Sequence, residues 1–118
     1  MNIQTQIELT VRYFLEVAVE FFQINLQEIP IIYDIPDEEG VIAYFQYDDK
    51  ISPKNCLFRV NQKWAEENQK VFLNEVIPHE VAHYVDCMVY GTAHSEDHGT
   101  TWKMIMSYIF ALDPKTEY

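Results

Sequence analysis

Apolar residues recur at every third or fourth position over the first 22 residues of the chain. They are Ile3, Ile7, Val11, Phe14, Leu15, Ala18, Phe21 and Phe22. This spacing is that of one face of an α-helix, which turns its apolar side chains towards a core. We therefore expect a long first helix that ends near Asn25.

Three short segments with a different pattern follow, at residues 30–35, 41–47 and 56–61. Each is rich in β-branched and aromatic residues, which is typical of strands. The stretches between them, PDEEG and DDKISPKN, have the composition of turns. Because short loops join adjacent strands, the pattern predicts a three-stranded, mostly antiparallel meander.

Helical signals return in the second half of the chain. Asn61 is suited to cap the N-terminus of a short helix that ends near Asn68. A second long helix is expected from about residue 70 to Tyr90, because Gly91 is a favoured residue just beyond a helix end. Pro78 lies inside this helix and lacks a backbone N–H, so we expect a mild kink there.

A last helix is expected near the end of the sequence. Thr100 or Thr101 would cap it, and Trp102, Ile105 and Ile109 would be buried. The order of a helix, three strands and further helices predicts an α+β fold. With 118 residues, of which 48% are hydrophobic, the chain can form one core, so we expect a single domain over residues 1–118.

Composition and charge exclude several classes of function. The net charge is −11, with 19 acidic against 8 basic residues, and a surface of that sign repels phosphate backbones. Autonomous binding of nucleic acid is therefore not expected. No apolar run approaches the roughly 18 residues of a membrane span, and the N-terminus lacks the pattern of a secretory signal. We expect a cytoplasmic protein that does not bind membranes.

The cysteine content excludes a cysteine-based zinc ribbon. Cys56 and Cys87 are the only two cysteines, and neither belongs to a CxxC pair. We expect two reduced thiols and no C-terminal zinc ribbon.

The four histidines of the chain all fall between residues 79 and 98, and two of them form the motif HEVAH. On a helix, His79 and His83 stand one turn apart on the same face, where both imidazoles can bind one ion. Glu80 lies at the edge of that face and can reach a water on the metal as a general base. The pattern predicts a zinc site with Glu80 as the catalytic residue.

A catalytic zinc normally has three protein ligands and one open position, so a third ligand is required. The candidates are His94, Glu96, Asp97 and His98. The metzincin pattern requires Gly and His at positions 86 and 89, which carry Asp and Val, so that class is excluded. An acidic third ligand from the following segment is chemically possible.

The segment IPHEVAHYVDCMVYG, followed by DHGTTWKMIM, resembles the SprT-like metalloproteases, the group that includes Spartan. In that family the HExxH helix is followed by a loop and a His-Gly pair, with an aromatic residue three positions after the glycine. Here these are His98, Gly99 and Trp102. The preceding LFRVNQKWAEEN also resembles the strand and helix that lead into the active-site helix. The resemblance spans roughly residues 5 to 112.

The resemblance implies a zincin-like minimal metalloprotease, a zinc endopeptidase acting on protein or peptide substrates. By it, His79, His83 and His98 are the zinc ligands and Glu80 is the catalytic acid/base. Gly99 would permit a tight turn into the last helix, and a buried Trp102 would fix that helix in place.

Three further residues are candidates for supporting roles. His94 could face the substrate and stabilise an oxyanion, or could be an ordinary loop histidine. Asp86 and Glu75 could orient a zinc ligand by hydrogen-bonding to it without binding the metal, or could be exposed helix carboxylates.

Two other functions compete with the peptidase. One is a non-proteolytic module in which zinc ties helices together and the surface binds a partner. The other is a regulatory peptidase of the ImmA/IrrE type, which has HExxH with an acidic third ligand. The repair of DNA–protein crosslinks known for Spartan is not expected to transfer, because the chain lacks a basic surface. An unidentified adaptor could select the substrates.

Overall fold

A computed structural model describes residues 1–47, 56–91 and 98–116 of the chain. It has three strands in one sheet, five α-helical elements, two π-helical segments and one 3-10 turn among those residues. The elements are α1 (Ile3–Phe22), β1 (Ile31–Ile32), the 3-10 turn (Asp37–Glu39), β2 (Ala43–Gln46), β3 (Leu57–Val60), α2 (Gln62–Glu67), α3 (Gln69–Val71), a π-helical segment (Phe72–Val76), α4 (Ile77–Tyr90), α5 (Thr100–Met104) and a second π-helical segment (Ile105–Ile109). The predicted α+β class is confirmed.

Helix α1 begins and ends with local backbone signals. The side chain of Asn2 accepts a hydrogen bond of 2.9 Å from the backbone N–H of Thr5, which caps the first turn. Gln23 adopts a left-handed conformation (φ 56°) and ends the helix slightly before the expected Asn25. The predicted apolar face is buried over most of the helix, at Ile3, Ile7, Val11, Leu15 and Ala18. Phe21, expected on the same face, is exposed near the end of the helix.

The strand order differs from the predicted meander. The order is β1-β3-β2, so β3 and not β2 is the central strand. The hairpin of β2 and β3 is antiparallel, with Tyr44 opposite Arg59. Strand β1 runs parallel to β3, with Ile32 opposite Arg59. The expectation that every pair of consecutive strands is adjacent is therefore wrong for β1 and β2, and the sheet is mixed.

The connection between β1 and β2 crosses the C-terminal end of β3. Before the crossing, the N–H of Ile35 donates to the carbonyl of Val60, and after it the N–H of Asn61 donates to the carbonyl of Ile42. The Asn61 side chain, which is buried, donates to Asp37 Oδ1 (3.1 Å) and also caps α2. A connection of this length easily spans the roughly 10 Å between strands two positions apart.

The second long helix is continuous from Gln69 to Tyr90 but changes type before Pro78. In the π-helical segment, the N–H of Ile77 donates to the carbonyl of Phe72, five residues earlier. The π-helical segment lies next to Pro78, which has no backbone N–H to donate to the hydrogen bonds of the helix. The helix ends at Gly91, which has a positive φ of 80°, a conformation that glycine adopts without steric cost.

Helix α4 occupies the centre of the domain. It contacts α1, β2 and α5, so most of its side chains are buried. Two polar residues, His79 and Glu80, lie among these buried positions. Within residues 1–47, 56–91 and 98–116, no helix has the length and apolar character needed to cross a membrane.

Candidate metal centre

Helix α4 brings the first two histidines of the motif together. His79 Nε2 and His83 Nε2 lie 3.3 Å apart, as expected for side chains one helical turn apart on one face. His79 is 5% exposed and His83 is half-buried. Because the helix is packed on three sides, both imidazoles are held within the protein and not in bulk water.

The third imidazole comes from His98, two residues before the start of α5. His98 Nε2 lies 3.0 Å from His79 Nε2, although 19 positions separate the two residues in the sequence. One ring nitrogen from each of His79, His83 and His98 lies within 4.8 Å of the other two. The structure therefore brings together the three histidines that the resemblance implied.

Two of the three imidazole pairs have spacings compatible with a tetrahedral zinc ion. Two imidazole nitrogens bound to one zinc at about 2.05 Å would be separated by roughly 3.3 Å. The separations of 3.3 Å between His79 and His83 and 3.0 Å between His79 and His98 agree with that value. Three imidazoles are a frequent donor set for a catalytic zinc, and a fourth position would remain for water.

The environment keeps His83 in the form that binds metals. Burial, together with the neighbouring imidazoles of His79 and His98, lowers the pKa of His83 to about 3. Desolvation disfavours the charged imidazolium, and like charges on the other two rings would repel it. His83 is therefore neutral at pH 7, as a metal ligand must be.

A backbone carbonyl orients His79. Nδ1 of His79 lies 3.1 Å from the carbonyl oxygen of Lys115. A carbonyl only accepts hydrogen bonds, so Nδ1 must carry the proton and Nε2 presents its lone pair to the site. Sequence reasoning missed Lys115, because a main-chain acceptor leaves no residue-type signal.

Trp102 forms one wall of the site. It is fully buried, and its Nε1–H donates to the carbonyl oxygen of His79 (3.2 Å). Its ring centroid lies 4.8 Å, 5.4 Å and 4.6 Å from the rings of His79, His83 and His98 respectively. The expectation that Trp102 is buried is confirmed, and its ring contacts every histidine of the cluster.

The start of α5 differs from the expected geometry. Gly99 is the N-cap and is extended (φ −75°, ψ −169°), a conformation open to any residue, whereas His98 itself has the positive φ of 64°. The expected cap by Thr100 or Thr101 is wrong, since no side chain caps this helix. Thr101 Oγ1 donates instead to Asp86 Oδ1 (2.5 Å), because a nearby carboxylate on α4 is a strong acceptor.

Glu80 faces the interior beside the histidines. It is 7% exposed, and its Oε2 lies 4.0 Å from His79 Nε2. It lines a small cavity with Ala43 of β2 and Ile77. Residues of α1 and of the other two strands line the same cavity, so this part of Glu80 faces the apolar interior between α4 and the sheet.

The remaining candidates fall into two groups. His94, Glu96 and Asp97 lie outside the described residues, so their part in the site stays a prediction. Asp86 bonds Thr101 and thereby ties α4 to α5, and Glu75 Oε1 lies 3.5 Å from Lys115 Nζ. Each carboxylate therefore contacts a residue from a later segment of the chain.

The chain is similar to known proteins along most of its length. The model of the SprT-like family matches residues 14–117. Protein SprT of Vibrio atlanticus is 28% identical over 104 residues, which cover 88% of this chain and 57% of the relative. Protein SprT of Actinobacillus succinogenes is 26% identical over 115 residues, covering 98% and 62%. Protein SprT of Pseudomonas syringae pv. tomato is 38% identical over 97 residues, covering 82% and 54%.

Two facts set the scope of this similarity. The chain spans between about half and two thirds of the length of these relatives. No solved structure matches it. The family match covers nearly the whole chain, including all three clustered histidines. The chain belongs to the SprT-like family.

Proposed function

We propose that this chain is a zinc-dependent endopeptidase with a zincin-like active site. The observation that carries the proposal is the convergence of three imidazole nitrogens beside a buried glutamate. His79, His83 and His98 would hold the ion. When bound, zinc supplies Lewis acidity towards a peptide carbonyl and towards water.

Glu80 is assigned the proton transfers. Its carboxylate would take a proton from the attacking water and pass it to the leaving amine. Burial supports this role, because a carboxylate in a low-dielectric environment interacts strongly with nearby protons and charges. Its Oε2 lies 4.0 Å from Nε2 of His79, so the carboxylate is close enough to the histidine cluster to reach a water bound there.

The substrate is proposed to bind as an extended strand. Strand β2 is an edge strand of the described sheet, and Ala43 of β2 lines the same cavity as Glu80. A peptide can pair with such an edge through main-chain hydrogen bonds, which depend little on side-chain identity. Protein or peptide substrates would then be selected by backbone accessibility or by an adaptor.

A non-proteolytic zinc module is the second candidate. One observation favours it: two histidines come from α4 and the third lies two residues before α5, so a bound ion would join these two elements. A purely structural zinc normally has a fourth protein ligand, and it would have no use for Glu80. An acidic third ligand, as in the ImmA/IrrE type, receives less support because His98 is already within 3.0 Å of His79.

Replacement of Glu80 by glutamine tests the proposal. Glu80→Gln keeps the shape of the side chain and removes its basicity, so the variant should bind zinc normally and lose most peptidase activity against an unfolded protein substrate. Glu67→Gln, an exposed change on α2, is the matched control and should retain activity. If zinc-loaded Glu80→Gln cleaves as fast as the control, Glu80 is not the base and the proposed mechanism is wrong.

A further inference from the structure

We propose that residues 111–116 form a C-terminal strap that positions His79 for zinc. Lys115 is the positioning residue. Its backbone carbonyl accepts a hydrogen bond from the His79 imidazole, and its side-chain ammonium group pairs with the Glu75 carboxylate. The inference rests on the zinc-binding part of the proposed function and does not depend on peptidase activity.

The backbone after the last helix turns back towards α4. Ala111 adopts a left-handed conformation (φ 56°), which redirects the chain. The N–H of Leu112 then donates to the carbonyl of Met106, and the N–H of Lys115 donates to the carbonyl of Asp113 (2.8 Å). Pro114, whose ring fixes φ, precedes Lys115. These local restraints limit where the Lys115 carbonyl can lie.

The carbonyl of Lys115 selects one tautomer of His79. An imidazole that is not hydrogen-bonded can place its proton on either nitrogen and can rotate about its side-chain torsions. The 3.1 Å contact with the Lys115 oxygen requires the proton on Nδ1. It therefore directs the Nε2 lone pair to the point where His83 and His98 also converge.

The side chain of Lys115 fixes the strap to the same helical run. Its Nζ lies 3.5 Å from Glu75 Oε1, and Glu75 precedes His79 by four residues. An ion pair whose members are 49% and 42% exposed contributes little to stability. It does, however, restrict the position of the residue whose carbonyl holds His79. The pair thus acts on the metal site through Lys115 and not through the core.

Charge reversal separates this role from simple electrostatics. Glu75→Lys and Lys115→Glu each replace an attraction between the two side chains by a repulsion. Each should therefore weaken zinc affinity by about three- to tenfold. This is less than the 10- to 100-fold loss typical of removing a group that hydrogen-bonds a metal ligand directly. Electrostatics alone predicts the opposite sign for Lys115→Glu, because added negative charge attracts Zn²⁺. The double variant should restore affinity to within about twofold of wild type.

The experiment measures zinc affinity by competition with a chromogenic chelator, and the Co²⁺ absorption spectrum of each full-length variant. Lys70→Glu and Glu67→Lys, both at exposed positions, carry the same changes in net charge and should bind zinc like wild type. Lys115→Arg should also retain affinity. The Co²⁺ spectrum should change in the two single charge-reversal variants and should match that of the wild type in the double variant. A general loss of stability would not produce this recovery.

Each outcome bears on a different claim. If the wild-type protein binds no zinc, the proposed function fails and the strap with it. If the wild type binds zinc and the two single reversals bind as tightly as their charge-matched controls, the strap alone is overturned. If the double variant is as weak as either single variant, the Glu75–Lys115 pair does not position the strap.

Discussion

The indole N–H of Trp102 donates a hydrogen bond of 3.2 Å to the backbone carbonyl oxygen of His79. The bond joins the helix that follows His98 to the first turn of the helix that carries the other two histidines. Because the ring is fully buried and contacts all three imidazoles, the tryptophan links the geometry of the site to the packing of the core.

Removing that ring should damage both stability and zinc binding. Trp102→Ala deletes a large buried side chain and should destabilise the protein by about 3 to 5 kcal/mol, measured by urea denaturation of the metal-free protein. Zinc affinity should fall as well, because α5 would no longer hold His98. Trp64→Ala, at a half-buried position that packs on Phe72, is the control and should lose stability with little change in zinc affinity. Normal zinc affinity in Trp102→Ala would show that the geometry of the histidine cluster does not depend on the packing of Trp102.

Zinc content should depend on both histidines of α4. The purified protein should hold about one zinc per chain, in the three-ligand arrangement. His79→Ala and His83→Ala should each abolish stoichiometric binding, because two remaining ligands bind zinc weakly. Elemental analysis after dialysis against a weak chelator measures this. Full retention of zinc in both variants would rule out the metal site.

The choice of third ligand can be decided by four single substitutions. His98→Ala should lower zinc affinity by orders of magnitude, because its imidazole is held 3.0 Å from His79. His94→Ala, Glu96→Ala and Asp97→Ala should each leave the affinity nearly unchanged. Competition with a chelator gives the affinities. If His98→Ala leaves zinc affinity unchanged and Glu96→Ala or Asp97→Ala lowers it strongly, the third ligand is acidic.

The buried thiol of Cys87 should be unreactive in the native protein. Burial raises its pKa to about 11, from the 9.0 of an exposed thiol, and the neighbouring Cys56 and Asp86 act in the same direction. At pH 8 the thiolate fraction is then roughly a hundredfold smaller than for the exposed thiol. Alkylation by iodoacetamide, followed by mass spectrometry, should be slow in native protein and fast after denaturation. Rapid modification of native Cys87 would show that α4 opens locally.

Local patterns in the sequence predicted where the long helices lie and brought together two of the three clustered histidines. The apolar spacing of α1 predicts its buried face because helical periodicity is a property of neighbouring residues. The HExxH spacing likewise fixes the approach of His79 to His83, which are one turn apart wherever the helix lies. The buried position of Trp102 and the cap formed by Asn61 were also predictable from local signals.

The strand order and the completion of the site were decided by the tertiary structure. The turn-like composition after β1 suggested a hairpin, yet the Asn61 side chain holds the connection across the end of β3, 24 residues from its partner Asp37. His98 and the Lys115 carbonyl reach His79 from 19 and 36 positions away. The resemblance to a known family implied His98 as a zinc ligand, whereas no pattern in the sequence pointed to Lys115. Such contacts depend on how separate elements pack against one another, and neither residue spacing nor composition determines that packing.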